Sequence, residues 1–444
     1  MKKKVLIISY YFPPIGGAGT LRILKFLKYL PLYGWESHVL TVKKHYSFLH
    51  DNSLEKEIPN YKNIYRSYAL LIGDLIRKAF KYKPGQKNNK KKNHNEHFKD
   101  LFSIAGDMII FLKNLFYTIL FIPDEYIGWL PFGVLKGRDI VKDKEIDVIV
   151  SSGPPNTTHI IGLLLQKITG KKWIVDFRDL WNQYYLNYNP YNIGIKNEFD
   201  NFLERTIITH ADKIIVVSDI MKAQLLAMFP RVSSDKVTVI TNGFDSSDFD
   251  SIEPYDFKKK FIITHFGTFF KWRNPLNFLK ALRNLIDKHD DFREDILFVC
   301  IGIVHEHIAE YVDALELNKY VKIVDYKPYY EGLKYLKGSD VFLLITGELA
   351  YNKNMLTTKL FDYIGGKKPV IALTGNGALK EFVEEYSLGK TVNNDNINEI
   401  ECIIYNYYVD IKNGEEIYNP KDCSGFERKV ATEKLSEVLN KAVQ

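Results

Sequence analysis

Short runs of apolar residues recur along the chain, and each is followed by a segment with helical spacing. In the first half, these runs lie at Val5–Ser9, Ser37–Val42, Asp147–Ser151, Trp173–Asp176, Lys213–Val217 and Val237–Thr241. Strands that are apolar on both faces are typical of parallel sheets covered by helices on both sides. The pattern therefore predicts an α/β fold whose first domain is doubly wound.

A second series of apolar runs begins after a polar, irregular segment at Asn242–Lys260. Its members lie at Phe261–Gly267, Ile296–Ile301, Val321–Val324, Val341–Ile345 and Val370–Leu373. We therefore predict two Rossmann-like domains, residues 1–245 and 261–424, joined by a solvated linker at 246–260. Ligands of such sheets bind beyond the carboxyl ends of the strands, which puts the site in a cleft between the domains. An amphipathic helix near 425–441 could pack on either domain.

The segment Thr357–Ala372, TTKLFDYIGGKKPVIA, predicts a short helix, a turn and a buried strand. Thr357 and Thr358 can cap the start of the helix. Gly365 and Gly366 stand where a helix ends in a left-handed turn. The strand that follows begins at Pro369.

The start of this helix combines groups that suit a nucleotide. Its free N–H groups attract an anion, and Lys359 lies beside them. Asp362, one turn further on, is a hydrogen-bond acceptor for ribose hydroxyls. An ordinary helix with solvated charges accounts for the same residues.

The first loop, YYFPPIGGAGTLR, joins a buried strand to a helix through Gly16, Gly17 and Gly19. Glycine lets the backbone approach a phosphate or a transferred sugar closely, although a purely structural turn is the alternative. The loop does not match G-x-G-x-x-G, and no acidic residue ends the second strand. A nicotinamide or flavin enzyme is therefore disfavoured.

Charged side chains also follow strands elsewhere. Lys271 and Arg273 precede a helix that starts at Pro275, where cations can neutralise a diphosphate leaving group; a solvated loop is the alternative. Arg178 and Asp179 follow a strand of the first domain. They face the cleft or form an internal ion pair.

Several motif-like segments are rejected. Gly389-Lys390-Thr391 imitates a P-loop, but Glu384 stands where that motif needs glycine. Asp248 and Asp250 imitate a metal-binding D-x-D, but they lie in the predicted solvated linker. No cluster of His, Cys and carboxylate residues has metal spacing, so we predict no metal site.

The composition indicates a cellular compartment and a segment that could contact a membrane surface. The three cysteines show no CxxC spacing, which fits a reducing cytosol, and VLII near the N-terminus is too short for the core of a signal peptide. Much of the net charge of +7 lies in Lys81–Lys92. This segment is either a solvated loop or a contact with anionic lipid. Leu101–Phe121 is a core helix or a helix at a membrane surface. Nucleic acid is disfavoured, because no nucleic-acid-binding motif accompanies the basic run.

Eight motifs, in this order, resemble those of family 4 glycosyltransferases of the GT-B fold. They are YYFPPIGGAGTLR, IPDEYIGW, VIVSSGPPNTTHIIGLLL, VDFRDLW, HADKIIVVS, ITNGFD, GTFFKWRNP and TKLFDYIGGKKPVIA. More narrowly, the chain is similar to bacterial transferases that build capsule, O-antigen or exopolysaccharide repeat units. The resemblance spans nearly the whole chain.

The resemblance implies that the C-terminal domain holds a nucleotide diphosphate sugar as donor substrate, and that helix 425–444 returns to the N-terminal domain. It also implies retention at the anomeric carbon, with no required metal or cofactor. By position, the implied catalytic residues are Arg273, Lys359 and Asp179. The implied donor-binding residues are Gly16, Gly17, Thr268, Asn354, Thr358, Leu360 and Asp362, and the acceptor-side residues are Arg178 and Gly19.

The chain departs from the family pattern at three positions. Asn354 replaces the first signature glutamate, which contacts the sugar, and Asp362 replaces the second, which binds the ribose. Thr268 replaces an arginine that often follows the strand glycine. Neutralisation of the diphosphate therefore falls more on Arg273 and Lys359.

We therefore expect a cytoplasmic enzyme. One alternative is that it binds peripherally to the inner face of the cytoplasmic membrane. It would transfer a sugar to a lipid-linked or growing glycan in bacterial surface polysaccharide biosynthesis. One rival is a GT-B nucleotide-sugar epimerase. A second is a non-catalytic glycan- or lipid-binding partner in an assembly complex, which Asn354 keeps open.

Overall fold

The computed structural model describes residues 2–43, 49–70, 122–181, 194–269, 273–346 and 356–444. Lys81–Lys92, Leu101–Phe121, Lys271 and Asn354, which carry predictions from the sequence, lie outside the described residues. The described chain contains two parallel sheets with helices packed on them.

The N-terminal sheet has seven parallel strands in the order β3-β2-β1-β4-β5-β6-β7. They are β1 Lys3–Ser9, β2 Trp35–Val42, β3 Ile64–Ser67, β4 Val148–Gly153, β5 Lys172–Phe177, β6 Lys213–Val216 and β7 Val237–Val239. The strand order reverses between β1 and β4, in the middle of the sheet. The carboxyl ends of these two strands therefore mark a topological switch point.

The C-terminal sheet repeats this arrangement with six parallel strands in the order β10-β9-β8-β11-β12-β13. They are β8 Phe261–Phe266, β9 Ile296–Ile301, β10 Val321–Val324, β11 Val341–Ile345, β12 Val370–Leu373 and β13 Gly389–Val392. Its switch point lies between β8 and β11. The predicted α/β fold with two Rossmann-like domains is confirmed.

The helices alternate with the strands. The N-terminal half contains α1 Ala18–Tyr29, α2 Leu130–Asp143, α3 Thr157–Thr169, α4 Gly194–His210 and α5 Asp219–Met228. The remainder are α6 Ser247–Asp250, α7 Leu276–Lys288, α8 Asp290–Asp295, α9 Glu306–Ala314, α10 Tyr329–Lys337, α11 Thr358–Gly366, α12 Ala378–Glu385, α13 Ile397–Lys412 and α14 Arg428–Val443. Across these described ranges, no helix combines the length and the apolar character needed to span a bilayer.

Two strands, β3 and β13, were not predicted from the sequence. Both lie at the edge of their sheets, and most of their residues are partly or fully exposed. An edge strand that is only partly covered needs no continuous apolar run, so the signal used for the other strands is absent.

Helix α14 packs on the N-terminal domain, although it follows the C-terminal one. Leu435 and Leu439 share a buried cluster with Val5 and Ile7 of β1 and with Leu24 of α1. Because α1 is covered by the sheet on one side and by α14 on another, all eight residues from Thr20 to Leu27 are buried. The chain therefore crosses between the domains twice.

The predicted solvated linker is wrong for its first part. Asp248 and Phe249 of the linker are buried, and so is Asp245 directly before it; the two aspartates are only 4% and 3% exposed, respectively. The amino group of Lys25 in α1 pairs with both carboxylates. Sequence polarity suggested solvent, but these charges are neutralised by a lysine far away in the chain.

The roles predicted for Gly365 and Gly366 are also wrong. Both lie inside α11, and the left-handed residue that ends the helix is Lys367, with φ of 55°. A Cβ on Gly365 would lie 2.5 Å from Phe249 Cε2, and one on Gly366 would lie 2.7 Å from Phe342 Cζ. These two positions require glycine because aromatic rings pack directly on the helix there.

Candidate functional site

The switch point of the C-terminal sheet lies between β8 and β11, and sheets of this kind have a ligand-binding crevice at the carboxyl ends of the two strands. The two strands pair only at Val341 with Ile263 and at Phe342 with Thr264. Beyond these pairs, the Tyr363 hydroxyl of α11 bridges them. It accepts from the Phe266 N–H at 3.0 Å and donates to the Leu343 carbonyl at 3.1 Å. Helix α11 is thereby fixed with its first turn over the crevice.

Lys359, in that first turn, reaches back to β8. Its Nζ lies 3.2 Å from His265 Nε2 and donates to the Thr268 carbonyl at 3.3 Å. His265 is fully buried, and its Nδ1 donates to the Leu343 carbonyl at 2.9 Å. That bond leaves Nε2 as an acceptor, so the neutral imidazole holds the lysine in place.

The site concentrates positive charge. The pKa of Lys359 is lowered to about 7: burial is the main cause, the nearby Arg273 guanidinium adds to the lowering, and Asp362 acts in the opposite direction. An anion placed between Lys359 and Arg273 would relieve this repulsion and favour the charged amine. The arrangement therefore suits a phosphate-bearing ligand.

Asp362 lies one turn further along α11. Its pKa is raised to about 7: burial is the main cause, Arg428 opposes the rise, and Asp248 adds to it. The Tyr329 hydroxyl donates to Asp362 Oδ1 at 3.4 Å. Asp362 is thus a partly buried acceptor on the same helix as the cation.

The start of α11 is not capped by the side chain of its own N-cap residue. Thr357 occupies the N-cap position, but its side chain makes no capping hydrogen bond, so the predicted threonine cap is wrong. Thr358 is the first helical residue. Leu360 is fully buried in the core, which leaves only its main chain toward the crevice.

Close backbone approach explains the glycine that ends β8. Gly267 has φ of +124°, and a Cβ there would lie 2.3 Å from Lys359 Cε. Gly302, at the end of β9, packs against it, since its own Cβ would lie 2.8 Å from the Gly267 carbonyl carbon. Gly302 is not among the residues predicted from the sequence; its place directly after an apolar strand is the signal that could have found it.

The glycine loop of the N-terminal domain packs against both domains. A Cβ on Gly16 would lie 2.2 Å from the Tyr326 hydroxyl of the C-terminal domain, and one on Gly19 would lie 1.7 Å from Arg178 Nη1. Gly17, with φ of +104°, precedes α1. The predicted contact of this loop with a ligand stays a prediction.

Arg178 and Asp179 do not form the internal pair that was one alternative. Asp176 instead pairs with Arg22, at 2.8 Å between Arg22 Nη2 and Asp176 Oδ1, with both side chains buried. Arg178 donates to the carbonyls of Gly153 and Pro154, at the end of β4. It therefore lies at the switch point of the N-terminal sheet.

Asp179 is partly exposed next to Arg178. Burial raises its pKa, and the Arg178 guanidinium opposes that rise. Within the described ranges, no three His, Cys, Asp or Glu side chains gather as they would around a metal ion.

The comparisons with known proteins agree with this architecture. Residues 124–243 match the family model of the glycosyl transferase 4-like domain. No curated protein matches the chain at a significant level.

Solved structures share the fold over almost the whole chain. Sucrose-phosphate synthase from Thermosynechococcus elongatus is 14% identical, with a TM-score of 0.63 over 99% of this chain and 98% of that one. The lipopolysaccharide outer core galactosyltransferase WaaB is 11% identical, with a TM-score of 0.55 over 99% of both chains. UDP-GlcNAc 2-epimerase from Methanocaldococcus jannaschii is 13% identical, with a TM-score of 0.51 over 99% and 100%. The chain shares the GT-B fold with these structures, and its residues 124–243 match the glycosyl transferase 4-like domain, in line with the resemblance to family 4 glycosyltransferases.

Proposed function

We propose that the protein is a retaining glycosyltransferase that takes a sugar from a nucleotide diphosphate sugar. One observation carries the proposal: Lys359 and Asp362, one turn apart on α11, lie at the switch point of the C-terminal sheet, with Arg273 close by. The cations and the helix start suit the diphosphate of the ligand, and the carboxylate one turn further on suits its ribose.

The chemistry follows from these groups. As the glycosidic bond breaks, negative charge builds on the departing diphosphate, and Lys359 and Arg273 stabilise it. The N–H groups at the start of α11 add to this stabilisation. Asp362 accepts hydrogen bonds from the ribose, and Arg178 and Asp179 border the reacting centre from the other domain. The proposed reaction requires no metal ion or cofactor.

The proposed acceptor is a lipid-linked or growing glycan of a bacterial surface polysaccharide, such as capsule or O-antigen. Contact with the inner face of the membrane would use Lys81–Lys92 and Leu101–Phe121. Sedimentation of the protein with anionic liposomes at low salt tests this contact, and failure to sediment would remove it.

The donor is identified first. UDP-, GDP-, dTDP- and ADP-sugars are screened by thermal shift, and the donor that stabilises the protein is then used in transfer assays. Lys359→Ala and Arg273→Ala should each lower transfer about 100-fold. Lys172→Ala is the matched control, because Lys172 is an exposed lysine paired with Asp212 outside the crevice.

Three results would contradict the proposal. Wild-type turnover in both crevice variants would remove these residues from the site. Isomerisation of the sugar when the donor is incubated alone would replace transfer by epimerisation. If none of the four donors bound, the non-catalytic alternative would stand.

A further inference from the structure

Helix α10 of the C-terminal domain is capped by a residue of the N-terminal domain. The main-chain N–H of Tyr329, the first residue of α10, donates to Asp51 Oδ2 at 2.6 Å. Asp51 is 1% exposed, and its other oxygen accepts from the Ser53 N–H at 3.0 Å. A carboxylate at a helix start satisfies a free N–H group and interacts favourably with the helix dipole.

The capped residue also contacts the proposed donor site. The Tyr329 hydroxyl donates to Asp362 Oδ1 at 3.4 Å. Tyr329 therefore joins Asp51, on one side of the domain interface, to the proposed ribose acceptor on the other. Asp51 therefore acts on Asp362 through the tyrosine.

Asp51 is also tied to the glycine loop of its own domain. Its N–H donates to the Pro14 carbonyl at 2.8 Å, and the Gly16 N–H donates to the Leu49 carbonyl at 2.9 Å. Gly16 in turn packs against the Tyr326 hydroxyl, three residues before Tyr329. The glycine loop, the Asp51 cap and α10 thus form one continuous contact across the domains.

We propose that Asp51 is a positioning residue for donor binding. By capping α10 from the opposite domain, it holds the Tyr329 hydroxyl on Asp362 and so sets the ribose acceptor when the two domains are in contact. This role rests on the proposed function, because it assumes that Asp362 binds the donor.

The test measures the dissociation constants of UDP, GDP, dTDP and ADP by titration calorimetry, and the nucleotide that binds wild type best is followed in the variants. Asp51→Ala removes the helix cap, so we expect this variant to bind the nucleotide about fivefold more weakly than wild type. Asp51→Asn should stay within about twofold of wild type, because asparagine caps a helix start nearly as well as aspartate.

A matched control separates positioning from stability. Asp124 is another buried aspartate, and it accepts from the Thr157 N–H at the start of α3 within its own domain at 2.9 Å. Asp124→Ala should lower the melting temperature and leave nucleotide affinity unchanged. A loss of affinity equal to that of Asp51→Ala would assign the effect to general destabilisation and overturn the proposal.

A double-mutant cycle tests the route through the tyrosine. Tyr329→Phe removes the hydroxyl, so Asp51→Ala should weaken binding little in that background. Fully additive losses, or equal losses in the Asn and Ala variants, would overturn the route. If wild type binds a nucleotide and Asp51→Ala binds it equally well, only the positioning role fails. If wild type binds none of the four, the proposed function fails and this role with it.

Discussion

The Nζ of Lys359 lies 3.2 Å from Nε2 of His265, although the two residues are 94 positions apart in the chain. The histidine is held as the acceptor tautomer by the Leu343 carbonyl, so it orients the lysine without adding a charge. This pairing keeps an amine in the crevice next to Arg273.

Replacing this lysine should separate activity from stability. We expect Lys359→Met to lower transfer about 100-fold and to leave the melting temperature at pH 7.5 equal to or above that of wild type. The reason is that a partly buried amine beside an arginine is costly in the free protein.

The stability difference should depend on pH. The pKa of Lys359 is about 7 in the folded protein and about 10.4 in an unfolded chain. Between these values the unfolded state binds more protons, so the stability of wild type relative to Lys359→Met rises with pH. Melting temperatures from pH 7 to 10 check this, and a constant difference would contradict it.

Donor binding should itself be strongest near pH 7. Pairing with the diphosphate raises the pKa of Lys359 from about 7, so affinity falls as pH increases above 7. Binding of the ribose by the carboxylate lowers the pKa of Asp362 from about 7, so affinity falls as pH decreases below 7. Calorimetric titrations with the identified nucleotide sugar, whose diphosphate does not titrate in this range, measure the profile.

Each limb of this profile should disappear separately. Lys359→Met should remove the alkaline limb, and Asp362→Asn should remove the acidic limb, because each variant lacks one titrating group. A profile that keeps its shape in both variants would assign the titration to other residues.

Gly267 should not tolerate a methyl group. Gly267→Ala would place a Cβ 2.3 Å from Lys359 Cε at a residue with φ of +124°, so both stability and nucleotide binding should fall. Gly414→Ala is the matched control, because Gly414 also has positive φ but nothing lies within 4 Å of its Cβ position. The control should lose about 1 kcal/mol of stability and bind normally. Equal effects of the two variants would remove the packing argument.

Lys25 should be required for the contact between α1 and the segment that joins the domains. It is 1% exposed and pairs with the buried carboxylates of Asp245 and Asp248. Lys25→Met would leave both carboxylates without this partner, at a cost of about 3 kcal/mol or more. Thermal melting checks the loss. Lys172→Met, which breaks the surface pair with Asp212, should cost less than about 1 kcal/mol.

Many of the helices and strands could be predicted from the sequence because each depends on neighbouring residues. Apolar runs such as Ile296–Ile301 and Val321–Val324 coincide with β9 and β10 to the residue. The edge strands β3 and β13 carry no such run. The candidate residues Lys359 and Asp362 could also be found, because helix spacing alone puts them within one turn.

The identity of their partners depended on the tertiary structure. The sequence by itself determined the α/β class, the two series of strands, and the helix that carries a cation and a carboxylate. Only the folded chain brings His265 to Lys359, Lys25 to Asp248, and Asp51 to the first N–H of α10. These contacts join residues that are 94, 223 and 278 positions apart. Local propensity cannot encode such pairs, because they exist only where two packed domains and their crossing segments meet.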